Sequence, residues 1–505
     1  MAKASGGRPA EERAGRWAPA GDDDGGNLAS RVAREIEAEI IRLGWPIGHN
    51  LGSEPALRER YGVSRPVMRE AVRLVEHHRA ARMRGGPNGG LLVCAPDAAP
   101  ATRAVVIYLQ YVGTGIEDLQ YARLQLEPLA ASLAAENISE AGISRLRAIL
   151  DEESARRREP GVLSRNVLHT ALGELSGNPV LHLFVEVLAR LSARYAHIAR
   201  PAPSEEMTAG KDRAHPPHAD IVHAVVAGDA AAAQHLHTEH LARVTEWMRE
   251  RRAGGAGEAI PDLFDVSDGP QVKLAEVVAG RIHDEIVRGG WRVGEVLGSE
   301  AELRSRHDVS RAALREAVRL LEHHSVARMR RGPGGGLVIA EPRPRASIES
   351  MALYLDRQGA GADDLATVRE AVEVGIVRRV MAGGVSPEAL RRLEGVPACG
   401  TPGAGSARAR AERFHTTLAE LCGNPVLALF QGILLELWSR HFLDTEPPSG
   451  PPSGPPSGPP SGTGPSAAEA ERVHRRILDA IRDGDEGVAL RRMRRHVAAL
   501  TAWYR

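Results

Sequence analysis

The chain has 505 residues, 43% of them hydrophobic and 26% charged, so it is too long for a single core and carries the balance of globular domains. Its 65 basic and 65 acidic residues cancel, which excludes a whole-molecule field as a source of nucleic-acid affinity and leaves only local patches. No apolar run reaches the ~20 residues of a membrane span and no charged-then-apolar leader opens the chain. Three scattered cysteines (Cys94, Cys399, Cys422) without a CxxC pair fit a reducing cytoplasm.

In chain order, residues 1–27 show no periodicity and are expected to be a disordered tail. From residue 28 onward the chain is a duplication. VSRPVMREAVRLVEHH (63–78) returns as VSRAALREAVRLLEHH (309–324), an offset of 246 positions. The same offset relates LGSEPALRERYGVSR (51–65) to LGSEAELRSRHDVSR (297–311), and LHTALGELSGNPVLHLF (168–184) to FHTTLAELCGNPVLALF (414–430). Two domain types therefore alternate: 28–96 and 270–342 are of one kind, 100–250 and 346–505 of the other, with a linker at 251–269. Four copies of PPSG at 447–462 have no apolar payload and cannot form a helix, so 447–465 reads as a loop insertion in the second copy.

In the first domain type, LASRVAREIEAEIIRLGW (28–45) places apolar residues at helical spacing. SEPALRERYG (53–62) opens on a serine cap and closes on Gly62, which gives a short second helix. SRPVMREAVRLVEHH (64–78) begins with Ser64 as N-cap and Pro66 in the first turn, with Val67, Ala71, Leu74 and Val75 as the expected buried stripe. Arg65, Arg69 and Arg73 lie on another face, and MRGGPNGGLLV adds a glycine hairpin, with Arg82 and Arg84 on its rising strand. Two short helices, a tight turn and a wing form a winged helix-turn-helix, whose second helix presents its first residues to the major groove. Residues 28–95 hold 11 arginines against seven acids, about +4, and residues 272–342 hold 12 basic residues against 10 acids, about +2. Arginines on one helix face are ordinarily just solvated; the complete motif, occurring twice, makes DNA contact the better reading.

These residues resemble the DNA-binding domain of GntR-type bacterial transcription regulators. The resemblance implies DNA contacts at Ser64, Arg65, Arg69 and, on the wing, Arg84, and in the second copy at Ser310, Arg311, Arg315 and Arg330. A basic residue that some members carry after the first glutamate is replaced here by Pro55 and Ala301. Pro66 against Ala312 and Asn88 against Gly334 suggest that the two heads read unequal half-sites.

The second domain type reads as amphipathic helices with short loops. His169, His218 and His240 stand out in the first copy and His415, His474 and His496 in the second. The last two members of each set are 22 residues apart across a helix, a Gly-Asp turn and another helix, so their imidazoles can converge on a divalent metal. Other histidines, among them His235, His237, His323 and His324, read as surface, and surface histidines are the ordinary alternative for the whole set. The SGNPVL and CGNPVL segments resemble the ligand-binding domain of the FadR branch of the same family, an all-helical bundle. That resemblance implies a zinc, nickel or manganese ion in each domain, held by the three histidines and an Asp four residues before the first. Arg165 and Ala411 stand at the Asp position, so the usual carboxylate ligand is absent. It also implies a small carboxylate effector held by Arg123 and Arg369; an ordinary i,i+4 surface pair with Glu127 or Glu373 explains Arg123 and Arg369 equally well. The alternative is that Arg165 supplies positive charge directly to the effector, with no metal in the first copy.

The expectation is therefore a mainly α chain: two winged helix-turn-helix heads alternating with two helical bundles. It would bind operator DNA, as an intramolecular pseudo-dimer or a homodimer in the cytoplasm, as a repressor controlled by a small carboxylate. The rival readings are a metal- or effector-binding protein without DNA function, and a metal-dependent enzyme. Against the enzyme, no Glu or Asp pairs visibly with the histidines as a general base.

Overall fold

The structure is a computed structural model that describes residues 28–78, 80–86, 89–95, 98–156, 167–198, 216–253, 274–332, 334–342, 344–395, 407–443 and 467–502. The expected tail, the PPSG insertion, most of the linker, and Asn88, Arg165 and Cys399 lie outside these residues, as does the side chain of Ala411. The chain divides into two compact units: Met1–Gly113 with Pro261–Gly359, and Thr114–Ile260 with Ala360–Arg505.

The first unit holds both heads. Head 1 comprises α1 (Leu28–Arg42), α2 (Glu54–Tyr61), α3 (Arg65–His77), β1 (Ala81–Arg84) and β2 (Gly90–Val93), followed by the linking helix α4 (Ala98–Tyr111). Helix α2 starts because Ser53 accepts a hydrogen bond from the Ala56 amide, and stops because Gly62 turns left-handed at φ 62°. In α3 the fully buried stripe is Met68, Ala71 and Val75, with Val72 beside it; this is the i, i+3, i+4, i+7 pattern. The expected Val67 and Leu74 prove only partly buried, seven residues apart on the stripe's edge, and pack against the core from there. Strand β1 pairs antiparallel with β2, Ala81 facing Val93 and Arg84 facing Gly90. Only glycine fits at 90, since a Cβ there would lie 2.1 Å from Asn50 Oδ1.

Head 2 repeats this plan with three strands. In the chain it comes after the six helices of the first bundle, so its own helices are numbered from α11. Its elements are α11 (Leu274–Arg288), β3 (Val296–Gly298), α12 (Glu300–His307), α13 (Arg311–His323), β4 (Ala327–Arg330) and β5 (Gly336–Ile339), followed by α14 (Pro344–Arg357). The strand order is β3-β5-β4; head 1 has a single Asn50–Leu92 bridge in place of β3. The turn glycine of head 1 becomes Asp308, which takes the same left-handed conformation at φ 50°.

The linking helices α4 and α14 pack on each other, and they cross between copies. Leu353 of α14 belongs to the core of head 1, and the Arg357 guanidinium sits 5.6 Å from the Trp45 ring centre. Reciprocally, Tyr111 of α4 meets Trp291 of head 2 edge to face at 5.5 Å. Each of these tryptophans is pinned by its own head, Trp45 Nε1 donating to the Cys94 carbonyl and Trp291 Nε1 to that of Ala340, at 2.8 and 2.9 Å.

The second unit holds both helical bundles. The first has α5 (Ile116–Glu136), α6 (Glu140–Arg156), α7 (Val167–Leu175), α8 (Pro179–Ile198), α9 (216–226) and α10 (Ala230–Ala253). The second has α15 (Ala362–Ala382), α16 (Pro387–Glu394), α17 (Ala407–Leu421), α18 (Pro425–Leu443), α19 (Ala467–Arg482) and α20 (Glu486–Ala502). The Asn-Pro of the repeated GNPVL segment has a defined task. Asn178 Oδ1 caps α8 by accepting from the Val180 and Leu181 amides, with Pro179 opening the helix, and Asn424 does the same for α18. Their amide nitrogens reach across to the other copy: Asn178 to the Asp364 carbonyl at 3.0 Å and Asn424 to that of Asp118 at 2.9 Å. Phe184 stacks on its own counterpart Phe430 with ring centres 4.0 Å apart. Equivalent residues meeting in this way describe an isologous, two-fold-like interface inside one chain. Among the described residues, no helix is long and apolar enough to cross a membrane.

Candidate DNA-binding face and metal pockets

On the heads, the residues that open α3 and α13 are exposed. The Arg65 side chain keeps 67% of its accessible surface and donates from Nε to Glu54 Oε1 at 2.9 Å. Arg311 does the same with Glu300 at 2.7 Å, and Arg315 reaches the same oxygen at 3.5 Å. Exposed pairs of this kind contribute little, roughly 0–1 kcal/mol, so the guanidinium groups exchange readily onto phosphates or base edges. Arg69 is exposed one turn on, and Arg84 is exposed at the base of the wing. Arg330 donates to the Gly334 carbonyl at 2.8 Å and so braces the wing's tip. Ser64 and Ser310 differ. Ser310 spends its hydroxyl capping the Ala313 amide, while the Ser64 side chain makes no capping bond.

In the first bundle, α5, α7, α9 and α10 bring Arg123, Glu127, His169, His218, His237 and His240 together, all at most 8% exposed. His218 Nε2 lies 3.2 Å from His240 Nε2, and one nitrogen of each of His169, His218 and His240 falls within 4.8 Å of the others. His169 Nδ1 lies 2.7 Å from Glu127 Oε2 and His218 Nδ1 lies 2.9 Å from Glu153 Oε2. Arg123 binds both oxygens of Glu127, at 2.6 and 3.1 Å. In the second bundle, α15, α17, α19 and α20 converge Arg369, Glu373, His415, His474 and His496. There His496 Nε2 lies 3.2 Å from His415 Nε2 and 3.1 Å from His474 Nε2.

These nitrogens suit a metal ion. Edges of 3.1–3.2 Å approach the ~3.3 Å edge of a tetrahedron of nitrogens ~2.0–2.1 Å from a central ion. Four of the six ligand imidazoles are also pushed toward the neutral form that ligation requires. Burial pushes His169 down to about 4 and His496 down to about 3, and lowers His237, His240 and His474 as well. Burial alone would raise Glu127, but the Arg123 guanidinium and then His169 hold it well below the usual carboxylate range. Burial likewise opposes the ionised Glu373, and His415 and then Arg369 outweigh it.

All six histidines expected from the sequence are brought together, three to a bundle, and Arg123 and Arg369 lie beside them. Three expectations are corrected. His237, read as surface, is 1% exposed with Nε2 3.1 Å from His169 Nδ1, whereas His235 is exposed. Its position three residues before His240 puts both on one face of α10, which was the available signal. His324, also read as surface, is buried at 6% exposure at the C-cap of α13. Carboxylates do pair with the histidines: Glu127, Glu153 and Glu373, of which Glu153 carried no sequence signal. The Arg123–Glu127 and Arg369–Glu373 pairs are buried within the bundles rather than lying on a helix surface.

The family model described as "Bacterial regulatory proteins, gntR family" matches residues 28–87 and 274–336, and the FCD domain matches 118–243 and 364–499. The HTH-type transcriptional repressor NanR of Citrobacter rodentium is 27% identical over 224 residues, 43% of this chain and 84% of that protein. The putative HTH-type transcriptional regulator RmpR of Mycobacterium gastri is 29% identical over 34% of this chain, which spans 64% of that protein, less than two thirds of its length. The Uxu operon regulator of Haemophilus influenzae is 26% identical over 30% of this chain and 56% of that protein. The solved structure of Streptococcus agalactiae GntR aligns with a TM-score of 0.32 at 20% identity, covering 43% of this chain and 99% of that one.

Proposed function

Since the chain belongs to the gntR family of bacterial regulatory proteins and carries both the gntR and FCD domains twice, we propose that it is an operator-binding transcriptional repressor supplying two DNA-reading heads from one polypeptide. The observation that carries this is the reciprocal crossing of α4 and α14, which joins the two heads of a single chain through equivalent residues. Arg65 and Arg69 in one head, and Arg311 and Arg315 in the other, would contact base edges and phosphates from the start of α3 and α13. Ser64, Ser310, Arg84 and Arg330 would add backbone contacts.

The helical bundles would sense a small carboxylate. The three histidines of each pocket would hold a zinc, nickel or manganese ion, which supplies positive charge and open coordination positions for an anion. Arg123 and Arg369 set the charge of each pocket through their glutamates. Arg165, at the position of the missing Asp, would be a further cation for the anion. Operator affinity would change because the effector binds one arrangement of the helices better than another.

Glu127, paired as it is with His169, revives the question of an enzyme. Both of its oxygens are held by Arg123, and one also by His169, so it serves to orient a ligand rather than to accept a proton from a substrate.

The test is a footprint of the purified protein on the DNA upstream of its own gene, with stoichiometry from light scattering. One chain protecting two half-sites about one helical turn apart is the expected result. Two chains per site would sink the single-chain pair, and no protection at low salt would sink the DNA reading.

A further inference from the structure

Resting on the metal reading above, we propose that the two pockets are unequal metal sites: the first, oriented by Glu127 and Glu153, fills first and more tightly than the second. The ligand sets themselves do not differ, since three imidazoles converge in each pocket with one nitrogen of each within 4.8 Å of the others. The difference lies behind the imidazoles.

In the first pocket, two of the three ligands have a carboxylate on the rear nitrogen. His169 Nδ1 donates to Glu127 and His218 Nδ1 to Glu153, at 2.7 and 2.9 Å. Each bond fixes the tautomer with the proton on Nδ1, turns the Nε2 lone pair forward and raises the basicity of the ring. His237 closes the same network, lying within 3.4 Å of Glu127 Oε2.

The second pocket keeps the first of these supports and lacks the other two. Gln431 Nε2 donates to Glu373 Oε1 at 3.0 Å, the oxygen that also receives the Arg369 Nε hydrogen bond. Glu373 Oε2 lies 2.8 Å from His415 Nδ1, so in this pocket His415 is the one ligand with a carboxylate behind it among the described residues. Among the described residues no carboxylate backs His474, which stacks on Phe414 with ring centres 4.2 Å apart. The first copy has Val185 and Leu168 where the second has Gln431 and Phe414, and Met493 stands where the first has His237. A metal entering the second pocket must therefore select the tautomer and orientation of His474 itself, at the expense of affinity.

The proposal is tested by titrating the metal-free full-length chain with Zn²⁺ against a competing chelator, and with Co²⁺ followed by its d–d absorption. Two phases of one equivalent each are expected. His240→Ala should abolish the tight phase and His496→Ala the weak one. Glu153→Ala should weaken the tight phase by about 10–100-fold with the helical circular dichroism unchanged, and Glu153→Gln, which keeps an acceptor oxygen, should recover part of that loss. A single phase of two equal sites, a tight phase that survives His240→Ala, or indifference to Glu153→Ala would overturn the inequality while leaving the metal reading intact. No uptake by either pocket would overturn both.

Discussion

Around the DNA-facing helices, the buried changes stay apolar, Met68 against Leu314 and Val75 against Leu321, and the others lie at caps and on the surface: Gly62 against Asp308, Pro66 against Ala312, and a serine hydroxyl that caps in one head only. In the bundles the changed positions are buried beside the histidines: Val185 against Gln431, Leu168 against Phe414, His237 against Met493. An exposed change alters which contacts a head can offer at small cost to the fold. A buried polar change must be matched by its neighbours, so it rewires the pocket around it. Duplication thus left the heads alike in frame and the pockets alike in their ligands and their buried Arg–Glu pairs, but not in the residues around them.

The largest expected effect tests how much the buried network carries. Glu127→Ala leaves the Arg123 guanidinium buried without its counter-charge and should destabilise the bundles by about 3–5 kcal/mol, read from denaturant unfolding by circular dichroism. A loss comparable to that of an exposed pair would show the network to be incidental.

Acid should act next. His169, with a folded value of about 4 against an ordinary 6.5, and His496, with about 3, are depressed by burial, so the unfolded chain binds more protons between those values. Stability of the metal-free protein should therefore be full above pH 6.5 and fall as the pH drops from 6.5 toward 4, with Glu127 adding to the loss below its ordinary 4.5. A thermal midpoint that stays flat across that window would contradict neutral buried imidazoles. Saturation with Zn²⁺ at a hundredfold excess over Kd should raise stability by about 2.7 kcal/mol per site at neutral pH, an increment that a chelator removes.

On DNA, Arg65→Ala and Arg311→Ala should each cost about 1–3 kcal/mol of operator binding, measured by fluorescence anisotropy over a salt series. Equal losses on both half-sites would argue that the heads read the same sequence despite Pro66 and Ala312. The smallest effect compares the caps. Ser310→Ala should cost about 1 kcal/mol of stability in the absence of DNA, and Ser64→Ala less than about 0.5 kcal/mol, since its hydroxyl makes no capping bond.

The heads were legible in the sequence because their signals are local: a serine cap at 53, a left-handed Gly62, a proline in the first turn and a glycine hairpin each act within a few residues. The histidine triplets were legible through repetition. What escaped was whatever depends on distant partners. His237 sits among Gln234, His235, Thr238 and Glu239, and nothing nearby shows that Glu127, 110 residues earlier, buries it. Glu127 itself looked satisfied by an arginine four residues away, which conceals its second bond to His169. The crossing of α4 and α14 was equally hidden, since an apolar stripe states that a helix buries one face but not against which copy.

That crossing makes the two halves of the polypeptide mutually dependent. A protease cut between Ala253 and Leu274 would yield fragments that stay together, held through Leu353 in the core of head 1 and Tyr111 against head 2. A gene shortened to its first half would encode a head with Trp45 and its neighbours uncovered, rescued only if two such products traded helices. Neither half is a spare copy, so a lesion in either one is inherited by both.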